Sequence, residues 1–415
     1  MREVNVGHKY IADYQSIVPK DLMEEIRELA EPLRGKRVLH VNATAFGGGV
    51  AEILYTLVPL MTDVGLEAEW QVITAPPEFF NVTKGFHNGL QGHDFALTQQ
   101  VRELYESVCR SNAETLSHHY DFLLIHDPQP LAMRRFTNVS ADGDAHWVWR
   151  CHIDTSTPDQ GLYDYLVPFI EQYDAAIYTM RGYAPAGLRV PIAEVAPCID
   201  PLAPKNMALS PADAAYIVRQ FGIDPNRPLL LQVSRFDPWK DPLGVVDVYR
   251  TVKASYPEVQ LGLIGSMASD DPEGWEYLEK VIDYVGGDGD VFVLSNLDNV
   301  GSVEINAFQS HAAVIMQKST REGFGLTVSE GLWKARPTIG GAVGGIPLQI
   351  QDGETGYLVH SAAECAARCI EVLDDPESAK VMALRGKEYV RRNFLTPRLL
   401  RDDLKLFNDL FEGKM

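Results

Sequence analysis

Short apolar runs punctuate the chain at 37–42, 69–74, 122–126, 147–152 and 175–178, and again at 229–233, 260–264, 291–294, 312–316 and 337–339. Few of them alternate apolar with polar positions. A run that is apolar on both faces fits a strand of a parallel sheet covered by helices on each side. Between the runs lie stretches with helical spacing, among them 19–33, 50–61, 211–221, 326–335 and 397–411. Strands alternating with helices predict an α/β fold with doubly wound, mostly parallel sheets, in which ligands bind at the carboxyl ends of strands. The two groups of runs are separated by APCIDPLAP at 196–204, whose three prolines predict a linker. A chain of 415 residues is too long for one ordinary core, so two domains are expected, 1–203 and 204–390.

Composition narrows the function classes. With 57 acidic against 37 basic residues the formal charge is −20, which opposes general nucleic-acid binding and docking on an anionic membrane. An anionic ligand would also be repelled at long range, so it needs a local cluster of bases and backbone donors. No apolar run reaches the length of a membrane span and the N-terminus lacks a signal-peptide core, which predicts a cytoplasmic protein. Five cysteines without C-x-x-C spacing suggest neither a disulfide framework nor a zinc site, and no metal ligand is assigned.

The densest chemistry lies at 314–330, VIMQKSTREGFGLTVSE. A strand, a turn holding Gly323 and Gly325, and a helix beginning near Leu326 bring backbone N–H groups and the positive end of a helix to one point, where an anion is stabilised. Glu322 and Glu330 flank that turn eight residues apart. At ~1.5 Å per helical residue they sit on the order of 10 Å from each other, a span that suits a sugar and a ribose joined by a diphosphate. Taken alone, two such glutamates are equally well read as solvated acids at a helix start.

Arg235 and Lys240 follow the strand at 229–233, within reach of one anion if the Asp237-Pro238 turn folds back. Gly47, Gly48 and Gly49 follow the strand at 37–42 and open a helix. Their spacing is not G-x-G-x-x-G, and no acidic residue follows a second strand as an NAD ribose requires, which disfavours an oxidoreductase. His126-Asp127-Pro128-Gln129 and His152-Ile153-Asp154 close two successive strands of the first domain. A lone histidine there is more often a hydrogen-bonded structural residue, but two polar clusters after neighbouring strands are less easily dismissed. The two glutamates point to different parts of a ligand, which does not fit the paired carboxylates of a glycoside hydrolase.

The E-x7-E spacing of Glu322 and Glu330 and the S-R-x-x-x-x-K run from Ser234 to Lys240 resemble the retaining GT-B glycosyltransferases of family 4. The resemblance covers nearly the whole chain. The stretches 40–54 (HVNATAFGGGVAEIL), 126–130 (HDPQP) and 267–275 (MASDDPEGW) are most similar to the trehalose glycosyltransferring synthases, with the retaining trehalose phosphorylases as the nearest competitor.

This resemblance implies two Rossmann-like domains with an interdomain cleft, and a C-terminal helix within 391–415 that crosses back to the first domain. It implies transfer of glucose from ADP- or UDP-glucose to free glucose, reversibly, giving trehalose. A phosphorylase, or a family-4 transferase with another soluble sugar acceptor, is the alternative. Arg235, Lys240, Glu322 and His152 carry the implied catalytic roles. Gly48, Gly49, Gly323, Phe324, Gly325, Leu326 and Glu330 join Arg235, Lys240 and Glu322 around the donor. Asp127, Gln129, His152 and Asp154 are the implied acceptor contacts. No cofactor is required, with Mg2+ at most stimulatory; the partners are nucleoside diphosphate glucose, glucose and trehalose, and a homodimer is compatible with this reading. A catalytically silent sensing module is the reading from a different class, and the complete charge set argues against it.

Overall fold

A computed structural model describes residues 1–46, 48–116, 119–137, 145–267 and 272–415. Gly47 of the glycine turn, and 268–271 of the MASDDPEGW stretch, lie outside the described residues. The chain divides into two units, Met1–Cys198 with Thr396–Met415, and Ile199–Leu395.

The first unit holds strands β1 (Arg2–Glu3), β2 (Arg37–Asn42), β3 (Glu67–Val72), β4 (Phe122–His126), β5 (His146–Cys151), β6 (Ala175–Tyr178) and β7 (Ile192–Glu194). They form one sheet in the order β1-β3-β2-β4-β5-β6-β7, parallel except where β1 meets β3. From β2 the chain steps to β3 on one side and then to β4 on the other, so the order of connection reverses between β2 and β4. The carboxyl ends of two such strands leave a crevice that no crossover covers. β4 is buried along its whole length, as a strand covered on both faces must be.

The second unit holds β8 (Leu229–Val233), β9 (Gln260–Gly265), β10 (Val291–Ser295), β11 (Val314–Gln317), β12 (Thr338–Gly341) and β13 (Tyr357–Val359). Its order is β10-β9-β8-β11-β12-β13, all parallel, which is the doubly wound 3-2-1-4-5-6 arrangement with its reversal between β8 and β11. Val314 pairs with Leu230 and Ile315 with Leu231, so the two strands end side by side.

The segment 196–204 carries the boundary between the two units, which falls after Cys198, and it is partly buried. Pro197 to Pro201 are buried, and Arg398 donates through Nη2 to the Ala196 and Pro197 carbonyls at 2.8 and 2.9 Å. Ile199 forms a parallel bridge with Leu395. Proline signalled irregular backbone correctly, but its carbonyls are satisfied by an arginine rather than by water.

Helix Thr396–Phe411 belongs to the first unit and packs on helix Lys20–Ala30. Its Phe407 ring stacks on Phe122 of β4 at 4.4 Å, and its Asp403 accepts from Arg150 Nη1 at 3.2 Å in the interior. Burial raises the Asp403 carboxyl to about 6, against the lowering charge of Arg150. Removing one partner of a buried ion pair leaves an uncompensated charge, which costs more than replacing both. Asp403→Ala is therefore expected to lower stability by about 3–5 kcal/mol in chemical denaturation, and the double variant Arg150→Met with Asp403→Leu to lose much less.

Candidate functional site

In the second unit the loops after β8 and β11 knit together at the reversal point. Asp237 caps the turn Pro238–Lys240, its Oδ1 accepting from Lys240 N at 3.0 Å. Thr320 N donates to Trp239 O at 2.7 Å, tying the second loop to the first. Thr327 Oγ1 donates to Val233 O at 3.1 Å, which anchors helix Leu326–Trp333 to the end of β8. These ties bring Lys240 Nζ to 2.6 Å from Glu322 Oε2 across 82 residues of sequence. Ser319 Oγ at 3.0 Å and Gln317 Nε2 at 3.3 Å donate to the same oxygen. Gln232 near the end of β8 and Gln317 at the end of β11 each keep a buried Oε1 without a hydrogen-bond partner. Such polar atoms cost free energy when left unmade and mark a place built for further polar contact.

Two glycines make this loop possible. Gly325 precedes the helix at φ +80°, where a side chain is strained. Gly345, in the GAVGG turn after β12, lies so close to the loop that a Cβ would stand 2.6 Å from Gly323 O and 2.9 Å from Phe324 Cα. Gln349 braces the same loop, accepting from Ser329 Oγ at 2.5 Å and donating to the Phe324 carbonyl.

Arg235 takes a different course from Lys240. Its side chain is 60% exposed, and its only charged partner among the described residues is Asp237, 3.3 Å away. That contact is electrostatic rather than an aligned hydrogen bond, since Asp237 Oδ2 has no hydrogen-bond partner. Glu330 lies deeper, 2% exposed, between Lys205 Nζ and Gln309 Nε2, each at 2.8 Å. Burial pushes its carboxyl up, but the Lys205 and Lys334 charges and the two hydrogen bonds more than offset this and hold it below the usual range. Lys205 and Gln309 were missed from the sequence. They approach Glu330 from 125 and 21 residues away, and no spacing rule links them.

Gly48, Gly49, Asp127, Gln129, His152 and Asp154 all belong to the first unit, and Arg235, Lys240, Glu322 to Leu326 and Glu330 to the second. Gly48 caps helix Gly49–Asp63 at φ +85°. At the end of β4, Asp127 adopts φ +62° and its Oδ1 accepts from His152 N at 2.9 Å. Burial raises the Asp127 carboxyl to about 7, against the lowering effects of that hydrogen bond and of the Arg150 charge. Asp154 turns back on its own loop, accepting from Ser156 N at 3.0 Å, and Gln129 offers its backbone carbonyl to Cys109 Sγ.

His40 Nδ1 lies 3.0 Å from His126 Nε2, and His126 Nδ1 lies 3.0 Å from His152 Nε2. The rings bond to one another rather than surround a common point. Among the described residues no group of three or more His, Cys, Asp or Glu could hold a metal ion, and no helix is long and apolar enough to cross a membrane.

Comparison with known proteins agrees with both units. The family model described as the trehalose synthase N-terminal domain matches residues 40–185, and that of glycosyl transferases group 1 matches 214–389. The chain is 59% identical over 99% of its length and 99% of the relative to a trehalose synthase of Rubrobacter xylanophilus. It is 46% identical, at the same coverage of both, to one of Pyrococcus horikoshii. A trehalose phosphorylase of Pleurotus pulmonarius is 28% identical over 84% of this chain and 54% of its own. Among solved structures, a sucrose-phosphate synthase of Thermosynechococcus elongatus superposes with a TM-score of 0.72 at 17% identity, covering 91% of this chain and 100% of its own. The α,α-trehalose 6-phosphate synthase of Burkholderia multivorans gives 0.67 at 14%, covering 92% and 99%. These two share the fold.

The raised Asp127 carboxyl gives a pH dependence with a definite sign. The folded chain holds this proton more tightly than the unfolded chain, whose value is 3.8. The contribution is complete below that value and is lost as pH rises through about 7. Asp127→Asn keeps the acceptor for His152 N and tolerates the left-handed backbone. Melting curves across pH are expected to show the variant gaining on the native chain between pH 4 and 8, by up to about 4 kcal/mol, with a constant difference above that range.

Proposed function

Because the chain belongs to the trehalose synthase family of GT-B, group 1 glycosyltransferases, we propose that it transfers glucose from a nucleoside diphosphate glucose to free glucose with retention, forming trehalose. The chain is a glycosyltransferase of trehalose chemistry; donor, acceptor and stereochemistry are the proposed part. The observation that carries the reading is the Lys240–Glu322 contact at the reversal point of a 3-2-1-4-5-6 sheet, beside the N-terminus of helix Leu326–Trp333.

A diphosphate entering there meets an ammonium group and the positive end of a helix. Both stabilise the charge that grows on the leaving group as the glycosidic bond breaks. A carboxylate in the same place would repel the anion unless it faced the sugar. In this reading Lys240 therefore takes the phosphate side, and Glu322, with three donors on Oε2, accepts hydroxyls of the donor glucose. Arg235, exposed on the same loop, swings in on binding to add a second positive charge.

Glu330 grips the ribose hydroxyls when Lys205 or Gln309 yields an oxygen to them. In the first unit His152 touches the donor sugar, and Asp127, Gln129 and Asp154 orient the acceptor. The acceptor hydroxyl attacks on the face the diphosphate leaves, and the departing phosphate oxygen takes its proton. No metal enters any of these steps, and Mg2+ acts at most as a stimulant. The synthase reading is favoured over a phosphorylase by the relatives that match end to end, whereas the phosphorylase is matched over about half its length.

Purified protein with glucose and ADP- or UDP-glucose is expected to release trehalose, measured by chromatography; product only from trehalose with phosphate would overturn the proposal. Lys240→Ala is expected to lower kcat by ~10²–10³. Glu330→Ala is expected to raise the donor KM more than it lowers kcat, and an unchanged donor KM would remove the ribose role.

A further inference from the structure

The three linked histidines are placed by strand register. His40 on β2 stands opposite Leu124 on β4, two residues before His126. His126 stands opposite Arg150 on β5, two residues before His152. A step of two keeps all three rings on one face of the sheet and moves each further toward the carboxyl edge. Diagonal neighbours of this kind lie within reach of aromatic side chains. The rings stack at 5.3 and 5.4 Å and bond nitrogen to nitrogen. The line begins at the buried Met61 of helix Gly49–Asp63, whose Sδ is 3.4 Å from His40 Nε2, and ends at the half-buried His152. Burial first, with the nearby Arg150 charge, holds all three rings below their ordinary value, so they are neutral at pH 7.

A neutral imidazole has one N–H and one lone pair, so in a line of three each choice of tautomer fixes the next. Two arrangements are possible, running in opposite directions. A thioether can accept a hydrogen bond and has no proton to give. Met61 is therefore satisfied in one direction only: His40 Nε2–H to Met61, His126 Nε2–H to His40 Nδ1, His152 Nε2–H to His126 Nδ1. The reverse arrangement sets the His40 lone pair against sulfur lone pairs. The favoured direction leaves Nδ1 of His152 with a lone pair and no partner among the described residues.

We propose that the Met61–His40–His126 line is a positioning relay that fixes His152 in its Nε2–H form, so that its Nδ1 accepts a hydrogen bond from a sugar hydroxyl and a hydroxyl donor is required at that position. The sugar contact rests on the proposed role of His152; the relay itself does not. Met61, His40 and His126 touch no substrate and act through His152. The relay also keeps a positive charge away from this edge of the sheet, because a proton added at any ring breaks the line.

Long-range 1H–15N correlation spectra of the full chain labelled at histidine read each ring nitrogen directly. All three rings are expected to carry the proton on Nε2; a proton on Nδ1 of any one, or a charged ring at pH 7, overturns the relay. Met61→Leu conserves volume and removes the acceptor that sets the direction. Its His152 nitrogens are expected to move to averaged values, with the KM of one sugar substrate rising about twofold as the competent tautomer falls to roughly half and kcat changing less.

His126→Asn keeps an oxygen to accept from His152 and is expected to preserve the Nε2–H form, whereas His126→Leu is expected to lose it. A tautomer unmoved in both Met61→Leu and His126→Leu overturns the proposal. A moved tautomer with both KM values unchanged upholds the relay and removes the sugar from His152.

Discussion

The site in the second unit depends on one contact, the 2.6 Å approach of Lys240 to Glu322 where the order of strands reverses. Neither side chain belongs to a strand or helix that would fix it unaided. Lys240 ends a single turn capped by Asp237, and Glu322 lies in a loop whose close approach to Gly345 leaves no room for a methyl group. A lysine and a carboxylate in partial burial hold each other because each alone would cost more to desolvate. In the proposed function the same pair divides a nucleotide sugar in two, with phosphate charge on one side and hydroxyl oxygens on the other.

The first unit solves a different problem with the same kind of sheet. It places neutral, hydrogen-bonding groups along β2 and at the ends of β4 and β5, with the buried Arg150 beside them paired to Asp403. Burial keeps the histidines uncharged and raises Asp127, so that edge presents polarity with little net charge. Such a surface suits an uncharged sugar, as the charged turn beside Glu322 suits an anion.

Much of this was legible in the sequence, for identifiable reasons. Phe122–His126 and Leu229–Val233 are apolar on both faces and bounded by polar residues, so their limits in the structure are those the pattern predicts. Helix Thr396–Phe411 was equally plain, its buried leucines recurring at helical spacing. The two-residue Arg2–Glu3 and the three-residue edge strands Ile192–Glu194 and Tyr357–Val359 carry too little pattern to be seen. The segment 196–204 was legible as a linker from its prolines, and the boundary between the units falls inside it; its burial was not legible, because what covers it comes from Arg398, some 200 residues on.

Among the proposed site residues, Glu322, Glu330 and Lys240 of the second unit and His152 of the first stood out because they sit at strand ends or around glycines. Lys205, Gln309 and the partnership of His40 with His126 were not, because register and long-range packing create them. His40 reads as one polar residue inside an apolar strand until β4 is set beside it with its two-residue offset.

The direct test of the divided pocket is titration calorimetry of the native chain and Glu322→Gln with a nucleoside diphosphate, with and without its glucose. Removing the carboxylate's charge is predicted to weaken binding of the nucleotide sugar about tenfold or more, while binding of the bare diphosphate is unchanged or tighter. Equal losses for both ligands, or no loss for the sugar-bearing one, would contradict the assignment of Glu322 to the sugar and Lys240 to the phosphate.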